Sequence, residues 1–148
     1  MKIVMASDHG GFDLKEIIKE YLQEKGMEVL DLGCHDRQSV DYPAYGKLAA
    51  KKVLEENCLG IIMCGTGLGI SISANKVKGI RAALCSEEYS ARMARRHNNA
   101  NILALGGRTT GSDLAKSIVD AFLEEDFEAG RHLRRVEQIM AIEDEEGR

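Results

Sequence analysis

This chain of 148 residues has no C-x-x-C pair, no long apolar run, no excess of positive charge and no linker tract, and each absence narrows the field. The four cysteines, Cys34, Cys58, Cys64 and Cys85, lack the His/Cys spacing of a structural zinc site, so a reduced, cytoplasmic protein fits them best. The opening MKIVMASDHGG carries too short an apolar stretch for a signal peptide or a membrane span. A net charge of -4 provides no general attraction to nucleic acid or anionic lipid, although a local basic cluster could still hold a small anion. Without Pro/Gly/Ser linkers, repeats or low-complexity tracts, the expected organisation is one domain over 1–148.

Present instead are short apolar runs alternating with amphipathic stretches. Ile3 to Ala6, Met27 to Leu32, Leu59 to Met63, Ile80 to Leu84 and Asn101 to Leu105 read as five strands. Between them fall helical faces such as Leu14, Ile17, Ile18, Tyr21 and Leu22, then Tyr45, Leu48, Ala49, Val53 and Leu54 behind a first-turn Pro43. Ser86 ahead of Glu87 and Glu88 looks like an N-cap, and a last helix covers roughly Arg131 to Ile142 before an acidic end expected to fray. This βαβα rhythm predicts an α/β, three-layer Rossmann-like fold with a five-stranded parallel sheet. No sixth strand follows the C-terminal helix, which is therefore expected to pack on a partner subunit.

Ligands of open parallel sheets bind beyond the carboxyl ends of the strands. That rule selects Ser7 to Gly11 after strand one and the CGTGLG loop, Cys64 to Gly69, after strand three. A dinucleotide fingerprint needs G-x-G-x-x-G after the first strand, whereas the spacing here is G-x-G-x-G after the third. A phosphatase loop would place Arg where Ile70 stands, and without it phosphoryl transfer loses its main charge stabiliser. The remaining option is a thiolate base beside N–H donors that stabilise an oxyanion, the two parts needed to take a proton from carbon next to a carbonyl. Position favours Cys64 for that base; otherwise it is a small buried hydrophobe.

The other candidates carry alternatives. Asp8 either meets a substrate hydroxyl or caps the following helix, while His9 beside it is suited to donate to a phosphate. An imidazole in general exchanges protons near neutrality, which makes His97 a plausible acid or base, and Asn98 or Asn99 serves equally as a helix C-cap. Yet His97 precedes strand five, toward the amino ends of the strands and opposite Cys64, so a shared reaction requires a second subunit. Nine of the ten arginines follow residue 80. Of these, Arg108 after strand five is well placed for an anion; Arg131 and Arg135, four apart on one helical face, either close on a phosphate or pair with Glu128 and Glu137.

Taken together, DHGGFDLK, VDYP, CGTGLGISISANK, GIRAALCSEEYSARMARRHNNANILALGGR and GRHLRRVE resemble type B ribose-5-phosphate isomerase and the related galactose-6-phosphate isomerase subunits. The resemblance covers nearly the whole chain. It implies interconversion of ribose 5-phosphate and ribulose 5-phosphate through a cis-enediolate, without metal or organic cofactor, in a homodimer or a dimer of dimers. It also implies that Cys64 moves the proton between C1 and C2. Thr66 and the N–H groups of Gly65, Gly67, Leu68 and Gly69 would then hold the enediolate, and His97 would open the furanose ring. Asp8 and Asn98 would bind hydroxyls; His9, Arg108, Arg131 and Arg135 would gather the phosphate. Some relatives use a Glu base near the position of Gly69, but no carboxylate follows the loop here, so the cysteine version applies. His132 and Arg134 gain no role from this comparison. Chemistry alone also admits six-carbon substrates such as allose or galactose 6-phosphate, and a nucleotide-sensing module without catalysis is the reading from a different class.

Overall fold

The computed structural model describes residues 1–148. Its strands are β1 (Lys2–Ser7), β2 (Glu28–Asp31), β3 (Leu59–Cys64), β4 (Ala82–Leu84) and β5 (Ile102–Gly106). The helices are α1 (Phe12–Glu24), α2 (Tyr42–Glu56), α3 (Leu68–Ala74), α4 (Glu88–Asn98), α5 (Ser112–Leu123) and α6 (Gly130–Glu145). All five strands run parallel in the order β2-β1-β3-β5-β4.

That order assigns the helices to faces. The steps from β2 to β3 and from β3 to β4 cross the sheet in one direction, and those from β1 to β2 and from β4 to β5 cross in the other. Right-handed connections therefore place α2 and α3 on one face and α1 and α4 on the opposite one. Two apolar clusters result. Leu14, Ile18 and Leu22 of α1 join Ala91, Ile118 and Phe122 over Ile3, Met5, Ile61 and Met63. Across the sheet, Ala49, Ala50 and Val53 of α2 join Ile70 and Ala74 over Val4, Ala6, Ile62 and Ala104. Residues alternate between the faces along β1 and β3, the period of two that a strand imposes. With both faces covered, these central strands are apolar throughout.

Several local expectations change. Ile17 is exposed, and Lys15 lies fully buried in α1, its ammonium 2.7 and 2.8 Å from the Asp31 carboxylate oxygens. The ion pair compensates the buried charge and ties α1 to β2. On α2, Leu48 and Leu54 face outward, while Gly46, Ala49 and Ala50 face in. The reason is close approach to α3: a Cβ on Gly46 would lie 2.9 Å from the Ile70 carbonyl oxygen. Glu87, not Ser86, caps α4, accepting the Ser90 N–H at 2.9 Å. β4 begins at Ala82 rather than Ile80. The acidic end does not fray where expected: buried Glu143 accepts the Gly79 N–H with both oxygens at 3.1 Å, which carries α6 to Glu145. Leu133, Ile139 and Ile142 remain exposed on α6. No helix is long and apolar enough to cross a membrane.

Candidate active site

The chain leaves β1 for β2 on one side and returns to β3 on the other, so the connections diverge between β1 and β3. Crevices in parallel sheets form at such reversals, beyond the carboxyl ends of the strands. An open cleft of about 370 Å³ lies there, lined by Asp8, His9, Tyr42, Cys64, Gly65, Thr66, Gly69 and Arg108. Its loops are pressed together. The Gly107 N–H donates to the Cys64 carbonyl at 2.8 Å, and the Arg108 N–H to that of Gly65 at 2.9 Å. A Cβ on Gly107 would sit 2.4 Å from the Gly10 carbonyl oxygen, so only glycine permits this approach.

Cys64 ends β3 and is 4% exposed, flanked by the apolar cluster under α2 and α3 yet bordering the cleft. The backbone then turns at Gly67, whose φ of +78° and 2.9 Å approach of an added Cβ to the Leu105 backbone carbon both demand glycine. This turn aims the Gly67 N–H at the Cys64 sulfur, 3.2 Å away. The Leu68 N–H donates to Thr66 Oγ1 at 3.3 Å, which leaves the Thr66 hydroxyl free to donate. Two of the expected loop donors are thus engaged internally. Those of Gly65, Thr66 and Gly69 have no partner within the chain.

Around this loop, Asp8 Oδ1 accepts the Gly11 N–H at 3.1 Å, so capping and lining the cleft coexist in one side chain. His9 Nδ1 accepts the Val40 N–H at 3.1 Å, which assigns the ring proton of the neutral imidazole to Nε2. The Arg108 guanidinium lies over Gly65, with Nη1 3.0 Å from where a Cβ would be, and forms no ion pair. Tyr42, which the sequence reading did not single out, packs its ring 2.5 Å from the Cβ position of Gly69. The adjacent Pro43 signalled the helix start, but nothing local showed that this start faces the cleft.

The other cysteines are unlike Cys64. Burial, with Glu87 adding to it, pushes the Cys85 thiol up to about 11, and burial also raises Cys58. Cys34 is buried, its sulfur 3.3 Å from the Asp36 carbonyl oxygen.

The remaining predicted residues form a second group. His97 and Asn98 end α4 and precede β5. The five residues of β5 lie between them and Arg108 at the cleft, roughly 16 Å of strand. The His97 ring stacks on that of His132, with centroids 4.0 Å apart and planes at 12°. Glu128 Oε2 lies 3.9 Å from His97 Nε2 and 3.7 Å from His132 Nε2. One ligand atom from each of these three side chains lies within 4.8 Å of the others, a grouping no sequence spacing suggested. Asn99, in the left-handed region, is the C-cap, leaving Asn98 exposed. Arg131 and Arg135 are exposed and make none of the ion pairs open to them; Glu128 is taken by Arg96. Sequence reasoning also missed Arg81 and Arg95, which donate to the Asn99 and Ala100 carbonyls and fix the turn after His97.

A model described as Ribose/Galactose Isomerase matches residues 3–139, from β1 into α6. The chain belongs to that family. It is 52% identical to ribose-5-phosphate isomerase B of Escherichia coli over 143 residues, covering 96% of each chain. The solved structure of Clostridium thermocellum ribose-5-phosphate isomerase B superposes with a TM-score of 0.97 at 54% identity, over 99% of this chain and 100% of that one. That of Mycoplasma genitalium ribose-5-phosphate isomerase B with bound ribulose-5-phosphate gives 0.92 at 46%, over 97% of both chains. This member of the Ribose/Galactose Isomerase family therefore shares a fold with relatives named for a pentose phosphate.

Proposed function

We propose that this protein interconverts ribose 5-phosphate and ribulose 5-phosphate, with Cys64 as the proton carrier. The observation that carries the reading is the Cys64 sulfur at the cleft edge, met at 3.2 Å by an inward N–H. That N–H stabilises negative charge on sulfur. In the forward direction the thiolate takes the proton from C2 of the open aldehyde, and the electron pair moves into C1=C2 to give the enediolate. A proton passes from O2 to O1, and the sulfur returns its proton to C1, forming the ketose. The free N–H groups of Gly65, Thr66 and Gly69 and the Thr66 hydroxyl meet the developing oxyanion, while Gly67 and Leu68 shape the loop. Asp8 accepts from a sugar hydroxyl.

Ring opening precedes this step: the C1–O4 bond breaks, O4 gains a proton from His97 and the C1 hydroxyl loses one. Because His97 lies at the far end of its own sheet, the site is composite, and a partner copy brings His97, Asn98, Arg131 and Arg135 to the cleft. Two observations support a homodimer or dimer of dimers: the unpaired Arg131 and Arg135, and the apolar Leu133, Ile139 and Ile142 left open on α6. His9 through Nε2–H, Arg108 and the partner's pair of arginines then surround the phosphate. The four free thiols suit a reduced cytoplasm.

The test is ketose formation by purified protein across a panel of five- and six-carbon aldose phosphates. Turnover of ribose 5-phosphate, lost in Cys64→Ala while a phosphate inhibitor still binds, is the expected result. Retained turnover in that variant removes Cys64 from its role, and preference for a six-carbon substrate replaces the pentose.

A further inference from the structure

We infer that the cavity lined by Arg81 and Arg95 is a second anion site, suited to a small tetrahedral dianion: free phosphate or the phosphate group of a small ester. It lies at the amino ends of β3 and β5, across the length of the sheet from Cys64. Nothing in it depends on the reaction proposed for the cleft. Arg81 precedes β4 and Arg95 lies in the last turn of α4. Both line one open cavity of about 380 Å³, together with Asn57, Asn99 and Asn101 and with no acidic residue. Ligand pockets span roughly 300–1,000 Å³, so this one suits a small occupant.

The chain gives these two half-buried guanidinium groups no carboxylate partner. Arg81 Nε donates to the Asn99 carbonyl at 2.9 Å, and Nη1 to the Met140 sulfur at 2.9 Å. Arg95 Nε donates to the Glu125 carbonyl at 3.4 Å, and Nη1 to Asn99 Oδ1 at 3.2 Å and to the Ala100 carbonyl. Each Nη2 is left with two N–H donors and no partner in the chain. The amide nitrogens of Asn57 and Asn99 are likewise unengaged, whereas Asn101 is taken by Arg81 N–H and the Gly79 carbonyl. Capping explains one cation at the end of α4, since a helix C-terminus favours positive charge. It does not explain a second beside it. Burial lowers both groups below the usual guanidinium range; on Arg95, Asp126 opposes this and the charge of Arg81 adds to it. A dianion offsets the mutual repulsion and accepts from both planar forks, the geometry in which arginine holds phosphate.

Arginine Nε–H signals in nuclear magnetic resonance spectra report the site directly. The full chain is titrated with inorganic phosphate, and in a second arm with glycerol 3-phosphate, chloride holding the ionic strength constant. The Arg81 and Arg95 signals should move saturably with a midpoint of about 1 mM, the scale of two charge-assisted contacts. A tighter midpoint for the ester assigns the site to phosphorylated metabolites, and a tighter one for phosphate to the free ion. Asn57→Asp places a carboxylate at the cavity and keeps a residue type that tolerates the left-handed backbone there, φ +49°. It should weaken that midpoint by about 10-fold or more, while the response of Arg108 in the catalytic cleft stays as it was. Arg81→Gln, which removes one fork, should weaken the Arg95 response by a similar factor. The inference is overturned if the two signals do not saturate, if chloride alone moves them as far, or if they follow Arg108 with the same midpoint in both wild type and Asn57→Asp.

Discussion

Mixing two inactive variants measures whether the site is shared between copies. Cys64→Ala removes the proton carrier and His97→Asn the ring-opening acid, groups that lie at opposite ends of the sheet in one chain. In a symmetric pair, each site takes Cys64 from one copy and His97 from the other. A mixed pair of the two variants then holds one site with both groups lost and one site fully intact. Equal amounts, exchanged to equilibrium, give about half mixed pairs and so about one quarter of the wild-type sites. Activity followed by ketose formation should rise toward that fraction as subunits exchange, and the active fraction should be smaller whenever either variant is in excess. A mixture no more active than the two variants measured separately would refute the shared site, since a site built within one chain is broken in every copy.

Three further outcomes follow from the packing. Gly67→Ala forces a side chain into a φ of +78° and within 2.6 Å of Leu84; turnover should fall by about 100-fold, consistent with a displacement near 1 Å, and unchanged kinetics would remove the turn from the site. Cys85 should give a pH signature: its folded pKa of about 11 exceeds the ordinary value, so its favourable contribution is complete below about pH 8.5 and is lost as pH rises toward 11. Urea unfolding of Cys85→Val should show a shallower decline over that window, and an identical decline would assign the loss to other groups. Lys15→Met leaves Asp31 with Lys19 as its remaining lysine partner; unfolding should become easier by about 3 kcal/mol, and no change would show that Lys19 alone compensates the carboxylate.

The apolar runs made the central strands legible, because a strand covered on both faces must be apolar at nearly every position. The glycine spacing after Cys64 marked a tight turn for the same reason that the structure requires it: no Cβ fits at Gly67. What stayed hidden depends on partners distant in sequence. Lys15 looks like a surface residue until Asp31 comes beside it, and Ile17 looks buried until that exchange is known. The strand order, which creates the cleft, follows from which connections cross the sheet and in which direction, and no local pattern records it. Tyr42 reaches the cleft only because α2 begins above Gly69. The pairing of His97 with His132 likewise needs α6 to fold back along α4. The separation of His97 from Cys64 was legible, since it needs only the position of each residue before or after a parallel strand.

The placement of the thiol and the imidazole at opposite ends of one sheet has a consequence for handling the protein. On the shared-site proposal, a folded single copy is complete in structure but short of a full set of reacting groups. Specific activity then declines on dilution below the dissociation constant of the pair, while the far-ultraviolet circular dichroism stays constant. A loss that resembles denaturation is in that case mass action, reversed by concentrating the sample or by a substrate that bridges the two copies.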